Sequence, residues 1–379
     1  MSESGERRIM VAMSGGVDSS VAAALLVRQG HGVVGAFMKN WSDTPDPVTG
    51  GCGWKRELED AQVVAALLDI PLVVLDFEAE YRQEVIDPMV REYASGRTPN
   101  PDVVCNRVVK FGLFRERAAR LGITRVATGH YARLRQGGSG RTELRQARDT
   151  AKDQTYFLHR LTQEQLSGAV FPVGEMTKGE VRQAAREMDL PVADKKDSVG
   201  ICFVGEIDLG RFLERRLGRR FGPIISLDGR VVGLHRGAAP FTIGQRHGLR
   251  IGGGKPYFVV DKDMARNAVY VTSADRDDRL YTKEVEVDDV HWIAGRSPAL
   301  PIRCQVRFRH RQPLQAAEVR SGGTGRIVIA CDEPQRAVTP GQSAVLYDGP
   351  VCLGGGPVSG TLTATSGDGN LDGTSPVSD

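Results

Sequence analysis

The sequence predicts an α/β protein in which a parallel sheet carries helices on both faces, followed by a smaller β-rich region. Short apolar runs alternate with helically spaced segments through the first third of the 379 residues, the pattern of strands joined by crossover helices. After about residue 205 turn motifs and short alternating strands take over. The 40% hydrophobic and 26% charged content is that of a soluble globular protein with more than one core.

"RRIMVAM" is a short apolar strand, and "SSVAAALLVRQG" is a helix ending at Gly30 as its C-cap. "HGVVGAFM" is a second strand. "RELEDAQVVAALLDI" sets Leu58, Ala61, Ala65 and Leu68 on one helical face, and "PLVVLDF" is a third strand. Helices over 78–94 and 103–121 lead to a fourth, "TRVATGH". Ligands of such sheets bind beyond the carboxyl ends of the strands. Ser14–Asp18, Met38 and Gly129 all follow predicted strands and can therefore line one crevice.

"YARLRQGGSGRTELRQA" reads as a hairpin, and Thr177 to Glu180 as a capping box opening a helix. Asp228-Gly229 is a hairpin turn. From about 280, "EVEVDDVHWI", "IRCQVRFRH", "RIVIAC" and "SAVLY" predict a small closed or sandwiched β domain. The Gly/Ser/Thr-rich stretch 357–379 offers nothing to bury and is expected to be a disordered tail.

Net charge is +3, compatible with a polyanionic partner without requiring one. No run of 18 apolar residues suggests a membrane span, and the polar "MSESGERR" start resembles no secretion signal; a cytoplasmic location is expected. The six cysteines are far apart, with no C-x-x-C pair. Neither a disulfide scaffold, a zinc ribbon nor a cysteine-ligated iron–sulfur cluster is expected, and no metal site built from protein ligands is assigned.

The stretch "AMSGGVDSS" at 12–20 places glycines between a strand and a helix, an anion cradle by geometry. It lacks the lysine and spacing of the usual triphosphate clamp. It resembles the pyrophosphate loop (PP-loop) of the N-type ATP pyrophosphatases, which attack the α-phosphate of ATP and release pyrophosphate. By that resemblance Asp18 helps to position Mg²⁺ on the leaving group. The group that attacks the adenylated substrate is then ammonia or sulfur, and no local glutaminase motif is evident.

Two cysteines favour sulfur. Cys105 in "RTPNPDVVCNRVVKFG" stands at a predicted helix start, where thiolate is stabilised, with Arg107 and Lys110 following. Asp102, three residues earlier, can exchange protons or cap the helix. Cys202 in "KKDSVGICFVGE" follows Lys195 and Lys196 in a loop. Spacing alone does not pair the two.

Together and in order, "AMSGGVDSS", "FMKNW", "TPNPDVVCNRVVKFG", "ATGHYAR", "AKDQTYFL", "DSVGICFVGE", "FTIGQRHGL" and "AVTPGQSAV" resemble the bacterial tRNA-specific 2-thiouridylase family from about residue 8 to 356. The resemblance implies a PP-loop domain (adenine nucleotide alpha hydrolase-like) over 1–205, a small central domain over 206–278 and a C-terminal β-barrel over 279–356. It implies ATP with Mg²⁺ and no permanently bound cofactor. The substrate it implies is the wobble uridine of lysine, glutamate and glutamine tRNAs. Sulfur comes from a persulfide donor, such as a cysteine desulfurase or a relay protein. Cys202 matches the persulfide carrier, Cys105 the second catalytic cysteine and Asp102 the acid/base, within the base-contacting Asn100, Pro101 and Asp102. Ala12, Met13, Ser14, Gly15, Gly16, Val17, Asp18, Ser19, Met38 and Gly129 match ATP-binding positions. His130, Lys152, Asp153, Gln154, Arg309, His310 and Gln342 match tRNA-contacting ones. His310 stands where some relatives carry Tyr, and Cys52 is assigned no role. The rival expectations are another PP-loop enzyme that forms an amide or a different thionucleoside, and a tRNA-binding module with a vestigial loop.

Overall fold

A computed structural model describes residues 8–42, 53–138, 140–196, 209–252, 254–274 and 276–362. Cys52 and Cys202 lie outside the described residues. The first sheet holds β1 (Arg8–Ala12), β2 (Gly32–Lys39), β3 (Leu72–Asp76), β4 (Arg125–Ala127) and, after a hairpin of β5 (Ala132–Gln136) and β6 (Thr142–Gln146), β7 (Ala169–Val170). Its order is β3-β2-β1-β4-β7 with every pairing parallel. Successive residues of β1 enter different cores, Met10 and Ala12 one, Ile9 and Val11 the other. That alternation buries both faces of the sheet, as a parallel sheet requires. Helix α1 (Val17–Arg28) follows β1 directly, and α2 (Gly53–Leu67) leads to β3.

A middle unit has a four-stranded sheet in the order β10-β11-β8-β9, from β8 (Gly222–Ser226), β9 (Val231–His235), β10 (Phe258–Asp263) and β11 (Ala268–Thr272). The expected Asp228-Gly229 turn joins β8 to β9, with Gly229 at φ +83°. The C-terminal unit comprises β12 (Tyr281–Val287), β13 (His291–Trp292), β14 (Ile302–Arg307), β15 (Gln315–Ser321), β16 (Ile327–Arg336), β17 (Ser343–Asp348) and β18 (Val351–Leu362). Six of these run β12-β16-β15-β14-β17-β18, and β18 pairs back to β12, so the sheet closes into a barrel. The hairpin expected at 131–147 forms, but β6 pairs with β18 of the barrel. The chain thus sews its first and last units together through backbone hydrogen bonds.

The expected tail boundary at 357 is corrected by that closure. Pro357–Leu362 continues β18, where Val287 faces Val358 and Glu284 faces Leu362 in the ladder with β12. Val358 is fully buried. The polar composition concealed this because a barrel-closing strand is selected by the free edge it pairs, and one buried Val suffices to mark its inner face. Truncation after Gly356 removes the closing rungs and exposes Val358's site, a loss of about 1.5–3 kcal/mol from that side chain alone. The expected result is a clearly lowered melting temperature. Truncation after Leu362 should melt as the full chain does; equal melting of the two truncations would show that the 357–362 strand is dispensable.

Candidate active site

The loop between β1 and α1 is built by its own hydroxyls. Ser19 Oγ donates to Gly16 O at 3.1 Å and accepts from Ser14 N at 3.2 Å, and Ser20 Oγ donates to Gly16 O at 2.9 Å. Gly16 caps α1 without a side-chain hydrogen bond. The first amides of α1 therefore have no side-chain cap, and the positive end of the helix dipole faces the loop. Gly15 adopts φ +70°, and a Cβ there would lie 2.2 Å from Glu57 O on α2. Only glycine fits. Gly129, beyond β4, is equally constrained: a Cβ would lie 2.6 Å from Ser19 N. Gly129 thus allows the end of β4 to abut the start of α1, and its expected place beside the loop is where the structure puts it. Met38 is buried near the end of β2, a strand bound to β1 up to Ala12.

The lysine that the loop lacks is supplied from elsewhere. Lys178 Nζ lies 2.7 Å from Asp18 Oδ1 and 2.9 Å from Oδ2. Lys178 is the first residue of the helix Lys178–Glu187, whose capping box of Thr177 and Glu180 forms as expected. Lys195 Nζ donates to Gly15 O at 3.0 Å and to Asp60 Oδ2 at 2.6 Å. Two lysines, each paired with a carboxylate, thus stand beside the start of α1. Neither position is marked in sequence as phosphate-binding, because their approach is purely tertiary. Among the described residues no group of three or more His, Cys, Asp or Glu side chains could hold a metal ion. Asp18 is the carboxylate that would hold Mg²⁺, and because Lys178 spans both of its oxygens and Tyr131 donates to one, the ion would have to displace Lys178 from it.

Asp102 and Cys105 lie on the second helical run. It opens at Pro101–Val104, widens its turns over Cys105–Leu113 and ends at Arg120. Three residues apart, Asp102 and Cys105 share one face. Cys105 is fully buried, in the core with Phe111 and Phe114. The polar, loop-rich surroundings expected for this thiol are corrected to a covered helix: Val109 and Phe114, about one and two widened turns further on, are fully buried in the same core as Cys105. Asn100 does not cap the helix.

Of the residues expected to meet tRNA, Asp153, His310 and Gln342 lie where the first unit touches the barrel and Arg309 where the middle unit does, whereas His130 stays inside the first unit beside Thr128, Phe111 and Phe171. Asp153, only 1% exposed, pairs with Arg307 Nη1 at 3.2 Å and accepts from Thr155 Oγ1 and Ala147 N. His310 bonds Asp153 O through Nε2 at 2.9 Å and lies 4.5 Å from the Phe157 ring. Gln154 Oε1 accepts from Tyr131 N, and Tyr131 donates its hydroxyl to Asp18 at 2.8 Å. Hydrogen bonds therefore link the loop to Tyr131 and Tyr131 to Gln154, and the preceding residue, Asp153, meets the barrel at Arg307 and His310. Tyr131 was not expected in the site; it stands beside His130 in a quoted motif, but only the fold shows its reach. His130 is buried, with Nδ1 2.7 Å from Thr128 Oγ1. Burial first and the Lys110 charge second hold its pKa well below the ordinary value, so the ring is neutral. Arg309 Nη2 donates to Ile243 O and Ala337 O, linking the middle unit to the barrel. Gln342 Nε2 donates to Thr98 O at 2.9 Å. Lys152 is half-buried.

Comparison with known proteins agrees with this architecture. A family model described as the tRNA methyl transferase HUP domain matches residues 7–206. The tRNA methyl transferase PRC-barrel domain matches 210–273, and the aminomethyltransferase beta-barrel domain 282–358. A protein of Burkholderia pseudomallei named tRNA-specific 2-thiouridylase MnmA is 48% identical over 96% of this chain and 96% of its own length. One of the same name from Geobacillus thermodenitrificans is 47% identical over 93% of this chain and 95% of its own.

Proposed function

Since the chain belongs to the tRNA-specific 2-thiouridylase family and is a tRNA sulfurtransferase, we propose that it thiolates the wobble uridine of lysine, glutamate and glutamine tRNAs. The observation that carries the ATP half of this reading is the uncapped start of α1 against Gly15, Lys178 and Lys195. Backbone amides there bind the β- and γ-phosphates, and the cations receive negative charge as pyrophosphate departs. Mg²⁺ held by Asp18 would neutralise further phosphate charge. The 2-carbonyl oxygen of uridine attacks the α-phosphorus, the bond to pyrophosphate breaks, and the base is left bearing AMP on that oxygen.

Sulfur then replaces AMP. The outer sulfur of a Cys202 persulfide reaches C2 either directly or after Cys105 thiolate displaces it as sulfide. In both orders AMP leaves with the former carbonyl oxygen, and Cys105 thiolate attacks the inner sulfur of Cys202, breaking its bond to the outer sulfur, which departs as sulfide or, in the direct order, as the thiocarbonyl sulfur of uridine. The two thiols end as a disulfide, and an external thiol must reduce it before the next turnover. Asp102, on the same helical face as Cys105, serves the proton transfers. The donor that loads Cys202 is a persulfide-bearing protein, and the setting is the cytoplasm; no helix among the described residues is long and apolar enough to cross a membrane.

Lys178 gives the test. Lys178→Met removes the cation on Asp18 while keeping the stem, so tRNA-dependent pyrophosphate release should fall roughly a hundredfold, as when one transition-state donor is lost. Binding of tRNA should be unchanged. Release at the wild-type rate would refute the phosphate role of this corner.

A further inference from the structure

The barrel grips the segment that carries Asn100, Asp102 and Cys105. Thr98 N donates to Pro340 O at 2.9 Å, and Gln342 Nε2 donates to Thr98 O at 2.9 Å and Pro99 O at 3.4 Å. Between these bonds Gly341 stands at φ +93°, and a Cβ there would lie 2.8 Å from Thr98 N, 2.9 Å from its O and 3.0 Å from its carbonyl carbon. Arg97 Nη2 donates to Val358 O at 3.3 Å, and Val358 in turn exchanges backbone hydrogen bonds with Gly341 and Gln342. Residues 97–99 are thereby fastened to the closing strand of the barrel and to the turn before β17.

The next residues of the chain transmit that grip. Pro101 fixes the first helical φ, and Asp102 and Cys105 ride on the helix it starts. Only Pro99 and Asn100 separate Thr98 from the helix, and the two prolines at 99 and 101 each fix φ, so little slack can absorb a displacement of Thr98. Such a displacement moves the helix start, or it breaks the barrel contacts.

We propose that Gly341 and Gln342 are positioning residues: from a unit that holds neither Cys105 nor the phosphate loop, they set the place of the Asn100–Cys105 segment. The barrel therefore serves the chemical step as well as the binding of RNA. The role of that segment rests on the proposed thiolation; the grip itself does not.

The decisive variant is Gly341→Ala, tested by two measurements. Single-turnover thiolation at saturating tRNA and ATP should fall by roughly a hundredfold, the scale expected for a reacting group misplaced by about 1 Å. The dissociation constant for tRNA should stay within about twofold of wild type, since the atoms nearest the new Cβ are the protein backbone of Thr98. Independently of any activity, alkylation of Cys105 by iodoacetamide, followed by peptide mass spectrometry against Cys352, should be several-fold faster as its cover loosens. Gly323→Ala is the control: it carries the same kind of strain at φ +105° but has nothing within 4 Å of its Cβ, and it should behave as wild type. Should Gly341→Ala not fold, Gln342→Ala removes two of the bonds without strain and should shift the rate and the Cys105 labelling in the same directions. A wild-type rate with unchanged Cys105 labelling would overturn the proposal. So would weakened tRNA binding with an unchanged rate at saturation, which would make the turn an RNA contact alone. Absence of thiolation by the unmodified protein would instead refute the proposed function, leaving the labelling result to judge the grip.

Discussion

Gly15→Val should abolish pyrophosphate release while leaving tRNA binding intact. The new Cβ would sit 2.2 Å from Glu57 O and 3.0 Å from Glu57 C, and the position requires φ +70°. Backbone cannot yield as a side-chain tip can, so either α2 or the loop must move. Movement of the loop tilts the first amides of α1 away from the phosphates, and misplacement of that size costs about a hundredfold or more in rate. Gly16→Ala provides the contrast, because its Cβ would meet only Ser14 Oγ, at 3.5 Å. It should keep the fold and much of the activity. Equal damage from the two substitutions would mean that glycine content, and not the contact with Glu57, governs the loop.

Substitution of either cysteine should end thiolation, and the two variants should differ in what they retain. Cys105→Ser replaces a fully buried thiol with a near isostere, so the fold should survive. Such a variant should still accept persulfide sulfur on Cys202 and should still release pyrophosphate. Cys202→Ser should accept none. One round of turnover by the native protein without reductant should leave a Cys105–Cys202 cross-link, and the protein should stall until thiol is added. A disulfide needs Cα atoms within roughly 7 Å. Because Cys105 is covered by its own core, that approach requires the surroundings of the thiol to open during the cycle. Persulfide mapped to Cys105 would reverse the roles, and thiolation retained by either variant would remove the two-cysteine mechanism.

Much of the architecture was legible because it is written in local periodicity. The strands around the phosphate loop are apolar and short, and the glycines at 15 and 129 stand where chain segments must nearly touch. The capping box at Thr177 was legible for the same reason, as hydroxyl and carboxylate at a fixed offset. What escaped is tertiary. Lys178 was visible only as a helix residue, and its pairing with Asp18 spans 160 positions. Strand β15 and the end of β18 read as polar because barrel strands show one face to water, so half their residues carry no core pattern. Asp153 and His310 stood out through family likeness as expected RNA contacts, and the fold adds that they also sit in the joint between the first unit and the barrel. A sequence motif records that a position is constrained without recording which partner constrains it.

The central claim is that this chain places sulfur on a tRNA uridine at the expense of ATP. Native protein, unmodified tRNA, ATP, Mg²⁺ and a persulfide source should be incubated together, and the digested nucleosides weighed by mass spectrometry while AMP and pyrophosphate are counted. The expected product is 2-thiouridine at the wobble position, with AMP and pyrophosphate each formed in step with the sulfur incorporated. Nucleotide cleavage with no sulfur in the tRNA, or sulfur at another position, would contradict it.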